Sequence, residues 1–142
     1  MNAETNPVPT YTKTLRLPSI TAEVRKVMRR IGYWVQRGSV TKSLEYLSEP
    51  RNRQIFDAVS YGESLGVIAR GYFRYHKDAE AIEVTREAIK RAGDKASNAA
   101  WWGGLAAFRA GDHKTAAEFF TILADSPVAD ADDKAAGAFW AS

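Results

Sequence analysis

A turn signal that recurs three times constrains the fold of this chain more than any other feature. Gly38, His76 and Gly111 lie 38 and 35 residues apart, and each follows a segment with helical periodicity. A small residue stands five positions beyond each of them: Ser43, Ala81 and Ala116. A period of roughly 20–50 residues is the signature of stacked supersecondary units. We therefore predict an array of helical hairpins that turn at these three positions.

The segments between the turns have the apolar spacing of amphipathic helices. Thr21 predicts the N-cap of a first helix, which ends at Gly38 and buries residues at steps of three and four. Those residues are Val24, Val27, Met28, Ile31, Trp34 and Val35. A shorter helix follows and stops at Glu49–Pro50.

The rest of the chain continues the helical pattern. A long helical segment runs from 51 to 76, with a break predicted between Ser60 and Glu63. Later helices are predicted at 79–93, with Gly93 as the cap, at 97–110 and at 113–124, and a last helix is predicted after a cap at Asp130 or Asp132. No segment alternates as a strand does, so the chain is predicted to be all-α. We assign 1–20 to a proline-containing extended arm, and 21–142 to a helical-repeat domain of about three hairpins plus a final helix.

Composition excludes several classes of protein and site. The 142 residues are 45% hydrophobic, which is enough for a core, and cysteine is absent, which excludes disulfides and thiolate chemistry. No apolar run predicts a membrane span, and the first 20 residues have no apolar stretch of the kind found in secretion signals. The net charge of +3 is uneven, since residues 1–60 carry 10 basic and 5 acidic side chains. This excess is too small to indicate nucleic acid as a partner.

The third hairpin resembles the tetratricopeptide repeat. Gly104, the Gly111–Asp112 turn, Ala116 and Phe120 are similar to the consensus of that family, whereas His76–Lys77 replaces the Gly-Asp turn in the second hairpin. The resemblance implies helix-turn-helix repeats stacked as a tetratricopeptide-like solenoid. Gly103 and Gly104 lie inside a helix, where glycine is unfavourable. We therefore expect them to touch another helix near Ala116 and Ala117.

A narrower resemblance covers roughly residues 65–142. Its carriers are Trp101–Trp102, Gly104 to Ala107, Arg109, Gly111–Asp112, Ala116–Ala117, Phe120 and Phe139 to Ala141. These residues make the segment resemble the superhelical region of soluble lytic murein transglycosylases. The resemblance implies a non-catalytic scaffold, a peptidoglycan glycan strand as a ligand, and a periplasmic location. It also implies a catalytic domain beyond residue 142. The alternative is a free-standing, cytoplasmic tetratricopeptide-like adaptor that binds a protein partner.

The sequence contains no convincing catalytic, cofactor or metal motif. Gly62 to Gly66 match G-x-S-x-G, but that motif needs a strand–turn–helix elbow, so we interpret it as a helix break or N-cap. His76 and His113 are predicted to be exposed turn residues and not metal ligands. Asp130, Asp132 and Asp133 are interpreted as helix caps, since a calcium loop would need a glycine and a distal glutamate. We therefore predict no enzymatic activity for this chain alone.

Two groups of residues are candidates for binding. Arg25, Arg29 and Arg30 make a cationic side on the first helix, which is either a solvated face or a docking surface for an acidic partner. The second group is aromatic: Trp101, Trp102, Phe139 and Trp140. Trp101 and Trp102 are expected to fill joints between repeats in preference to stacking sugars. Phe139 and Trp140 form an apolar C-terminal edge, where we expect a downstream domain or a protein partner to dock.

Overall fold

The computed structural model describes residues 20–142, and every regular element in that range is helical. Eight α-helices follow one another, with a 3₁₀ turn at Gly93–Lys95 before α6. Their bounds are α1 Ala22–Gln36, α2 Val40–Ser48, α3 Pro50–Arg53, α4 Ala58–Arg74, α5 Asp78–Ala92, α6 Ser97–Arg109, α7 His113–Ala124 and α8 Ala131–Ala141. The all-α prediction is confirmed for this range. The predicted N-terminal arm lies outside the described residues, apart from Ile20.

The three predicted turns have the same backbone geometry. Gly38 takes a φ of 89°, in the left-handed region that favours glycine. Its N–H donates to the carbonyl of Val35, and the next N–H, of Ser39, donates to that of Trp34. This pair of bonds is the Schellman motif, which satisfies the last carbonyls of a helix. The same two bonds recur at His76 (φ 60°) and at Gly111 (φ 85°).

Helices that are neighbours in sequence pack against each other, with α4 at the centre. This helix contacts α1, α2, α5 and α6, and α6 also packs on α5 and α7, while α8 packs on α7. The small residues predicted after each turn, Ser43, Ala81 and Ala116, are all buried. Small side chains at these crossings let the helix backbones approach closely.

The sequence prediction placed one helix boundary wrongly. The break lies at residues 54–57, before α4, and not between Ser60 and Glu63. Asp57 caps the new helix by accepting a hydrogen bond from the N–H of Ser60 at 2.7 Å. Gly62, which lies in the predicted break, is inside α4, where a Cβ would come within 2.8 Å of the Ala92 Cβ. The glycine is therefore explained by close contact with α5 and not by a chain break.

Gly103 and Gly104 contact other helices as expected, but at different partners. A Cβ on Gly103 would collide with Oγ1 of Thr85 in α5, and a Cβ on Gly104 would lie 2.5 Å from the ring of Phe120 in α7. The partners predicted for them, Ala116 and Ala117, are not the nearest neighbours of these glycines. Helix α6 is thus held closely on two sides, by α5 and by α7.

Candidate binding surfaces

The three arginines predicted as a binding surface are exposed on α1. Arg25, Arg29 and Arg30 point to solvent, and none of them forms an ion pair with any carboxylate in residues 20–142. Arg30 extends over the ring of Tyr46 in α2, with 5.7 Å between the guanidinium carbon and the ring centroid. The cationic side of α1 therefore continues onto α2.

Further cations on this side also lie over aromatic rings. Arg37 lies 4.4 Å from the ring centroid of Tyr33, and the Lys42 ammonium lies 4.7 Å from that of Trp34. Cation–π contacts of this kind are worth about 0.5–1 kcal/mol at exposed sites. We name this the basic–aromatic surface. It consists of Arg25, Arg29, Arg30, Tyr33, Trp34, Arg37, Lys42 and Tyr46. The contributions of α2 were missed from the sequence because they depend on how α1 and α2 pack.

Trp101 and Trp102 are half-buried and point to different neighbours. The Trp101 ring packs against Phe120 of α7, with 5.8 Å between centroids, and Trp102 packs against Phe73 of α4 at 5.7 Å. The two rings therefore lie at contacts between α6 and its neighbours. Only part of each ring remains accessible to a ligand.

Trp102 also belongs to a polar network that the sequence did not reveal. Its indole N–H donates to Oδ1 of Asn98 at 3.1 Å, and Nδ2 of Asn98 donates to Oε2 of Glu63 at 3.3 Å. Glu63 is only 5% exposed, and this burial raises its pKa from 4.5 to about 7. The bond from Asn98 and the charge of Arg70 oppose that rise. The spacing of Asn98 and Trp102, four residues apart on one helix, was the available signal for part of this network.

The G-x-S-x-G segment has no geometry of a nucleophile elbow. It lies inside α4, and the hydroxyl of Ser64 donates to the carbonyl of Ser60 at 3.0 Å. This is the ordinary back-bond of a helical serine. The segment owes its burial to packing, and Glu63 is its one ionisable group.

The described residues bring together no metal-ligand cluster. His76 and His113 are both exposed, and His113 rests against the ring of Phe108 with 5.2 Å between ring centroids. Asp130 caps α8 by accepting a bond from the N–H of Asp133 at 2.9 Å, as its position predicted. No group of three or more histidine, aspartate or glutamate side chains in residues 20–142 has the arrangement to hold a metal ion.

Phe139 and Trp140 lie at an exposed aromatic cluster. Phe139 is 72% exposed, and Trp140 is 37% exposed. The Trp140 ring packs edge-on to Phe108 at 5.2 Å and also contacts Phe120 at 5.7 Å. We name Phe108, Phe139 and Trp140 the aromatic end. Phe108 was not predicted to belong to it, because its ring joins the cluster only through the contact with Trp140 of α8, which is 32 residues away in sequence.

Comparison with known proteins found no match, whether to a protein-family model, to a curated protein or to a solved structure. Among residues 20–142, no helix is both long and apolar enough to cross a membrane.

Proposed function

We propose that residues 21–142 form a tetratricopeptide-like repeat module that acts as a non-catalytic scaffold for binding. The observation that carries this proposal is the recurrence of one hairpin unit. The Schellman turn at Gly38, His76 and Gly111 comes each time with a buried small residue five positions later. Modules built in this way use their extended surfaces for recognition.

Contacts between successive first helices support the same proposal. Helices α1, α4 and α6 each open a proposed unit, and α4 packs on both α1 and α6. Arg109 ties the third unit to the second, because its Nε lies 3.0 Å from Oδ2 of Asp78 and its Nη2 lies 2.6 Å from the carbonyl of Phe73. Such contacts between neighbours are those expected in a linear array.

Hydrogen exchange on the full chain tests the repeat architecture. In a linear array, the terminal units open more readily than the central ones. We expect amides in α1, α2 and α8 to exchange at lower opening free energies than those in α4 and α5. Exchange of all helices through one global opening would contradict a repeat array.

A second candidate function is a scaffold for peptidoglycan glycan strands, as in the superhelical region of lytic transglycosylases. The resemblance carried by Trp101–Trp102 and the segment 104–120 favours it. Both tryptophans keep part of their rings accessible, and aromatic faces suit sugar stacking. Trp102→Phe is a variant that separates stacking from hydrogen bonding, because it keeps an aromatic ring at the site and removes the N–H that donates to Asn98.

Co-sedimentation of the full chain with purified peptidoglycan sacculi separates the two candidates. Binding that Trp101→Ala weakens, with no release of soluble glycan fragments, supports the glycan scaffold. If the chain does not sediment with the sacculi, the result favours the protein-binding adaptor. Release of glycan fragments by the chain alone would overturn the assignment as non-catalytic.

A further inference from the structure

The first and last helices carry opposite charge. The basic–aromatic surface presents Arg25, Arg29 and Arg30 without ion-pair partners in the part of the chain that the structure describes. Helix α8 begins with Asp132 and Asp133 beside its cap. Burial raises the pKa of Asp133, and the charges of its aspartate neighbours raise it further. Within residues 20–142 neither these arginines nor these aspartates form an ion pair, and Glu23 on α1 and Lys134 on α8 offset only part of each charge.

Helix α8 has a face that no other described helix covers. Its Gly137 side packs against α7, where a Cβ would come within 2.7 Å of the carbonyl oxygen of Phe120. The opposite side carries Phe139 at 72% exposure, together with exposed Ala135. Exposed aromatic rings beside small side chains are typical of a surface that packs on a partner.

The two surfaces complement each other in charge and in side-chain type. Tyrosine, tryptophan and arginine, which dominate the basic–aromatic surface, are the residues enriched at the energetic centres of protein interfaces. A symmetric contact of either surface with itself would bring like charges together, which is costly. Helix α1 packs on α2 and α4, whereas α8 packs on α7, so the two surfaces belong to different parts of the helix order.

From this complementarity we propose that copies of this chain associate head to tail: the basic–aromatic surface of one copy docks on the aromatic end and acidic start of α8 in the next. The occupant of each surface is thus a second copy of this chain. The contact uses two different patches, so it is heterologous and leaves one of each free at the ends of an assembly. This inference does not rest on the proposed function.

Two complementary variants of the full chain test the contact. The basic variant is Arg25→Glu with Arg29→Glu, and it leaves α8 intact. The α8 variant is Asp132→Arg with Phe139→Ala, and it leaves α1 intact. All four positions are exposed, so folding should be preserved, and circular dichroism checks it. A matched control, Lys77→Glu with Lys95→Glu, makes the same change in net charge as the basic variant at exposed positions in the middle of the chain.

Sedimentation velocity measures the outcome over a wide range of protein concentration. The wild-type chain and the control should form larger assemblies as protein concentration rises, and added salt should dissociate them. Each variant alone should associate about tenfold more weakly or worse, because reversed charges then face like charges. A mixture of the two variants should associate more strongly than either variant alone, since the intact basic–aromatic surface of one meets the intact α8 of the other.

Three results would overturn the proposal. A wild-type chain that stays monomeric at every concentration would show that copies do not associate, and the basic–aromatic surface would then be a candidate site for a different, acidic protein. Self-association of the basic variant at wild-type strength would indicate a symmetric contact through α8. Failure of the two folded variants to combine would show that their surfaces do not meet.

Discussion

From the burial of Glu63 we predict that the free energy of unfolding of this protein falls as the pH rises. Glu63 is 5% exposed, and the pKa of its carboxyl, about 7, lies above the ordinary value of 4.5. At low pH the proton is bound in both the folded and the unfolded chain, so the group costs nothing. Well above pH 7 both states are ionised, and the folded state carries the full cost of a buried charge. Stability is therefore lost between these two pKa values.

The magnitude follows from the same two values. Each tenfold change in an ionisation constant is worth about 1.4 kcal/mol, so the whole effect is about 3 kcal/mol. Between about pH 5 and about pH 8.5, linkage gives a loss of roughly 2–3 kcal/mol from this group alone. That is a large fraction of the roughly 5–15 kcal/mol by which domains are stable.

Glu63→Gln removes the charge while keeping an oxygen that can accept the bond from Asn98. Urea unfolding, followed by circular dichroism, gives the free energy of unfolding of both proteins at each pH. We expect the variant to gain about 2–3 kcal/mol of stability relative to wild type between about pH 5 and about pH 8.5. Any strain from the new amide is the same at both values and cancels. Glu80→Gln, at an exposed position of α5, is the control and should change little.

A Glu63→Gln variant that differs from wild type by the same amount at both values would refute this reasoning. It would mean that the carboxylate is hydrated in the folded protein or compensated by Arg70 more fully than its burial indicates.

Further predictions concern the helix contacts, and the same unfolding assay checks them. Gly103→Ala should destabilise the chain by about 1–3 kcal/mol, because its Cβ would collide with Thr85, which donates to a carbonyl of α6. Gly32→Ala should instead stabilise the chain by about 0.5–1 kcal/mol, since no atom lies within 4 Å of the added Cβ. Equal changes in the free energy of unfolding for Gly103→Ala and Gly32→Ala would refute the packing argument. Arg109→Ala should destabilise the chain by roughly 1–2 kcal/mol, because the partly exposed ion pair with Asp78 and the contact with the Phe73 ring are both lost. An unchanged free energy of unfolding would show that these contacts of Arg109 contribute nothing to stability.

Most of the helix order could be predicted from the sequence because it is set by local signals. Thr21 and Asp130 cap their helices through their own side chains, and Gly93 ends α5 with a positive φ. Each of these signals acts within a few residues of the chain. Helix bounds that depend on such caps therefore agree closely with the prediction.

The beginning of α4 and the Glu63 network depend on contacts distant in sequence. Gly62 and Gly66 look like helix breakers when only the local sequence is considered. Their cost is offset by α5 and α6, since a Cβ on Gly66 would lie 2.9 Å from the backbone nitrogen of Ala99. The cap at Asp57 was a local signal, but two glycines and two serines just beyond it offered a competing one. Only the packing of α4 decides between them.

The same close packing explains why an ionisable group lies at the centre of the fold. Gly66 lets α4 approach α6 closely, and Glu63, three residues before it in α4, is left only 5% exposed. The carboxyl must then take its hydrogen bond from α6, which Asn98 supplies at 3.3 Å. Asn98 is fixed in turn by Trp102, whose ring lies against Phe73 of α4. The contact between α4 and α6 thus sets the ionisation of Glu63. Because the bond from Asn98 opposes the rise in the pKa of Glu63, Asn98→Ala should raise that pKa further, and the pH dependence of unfolding would report the change.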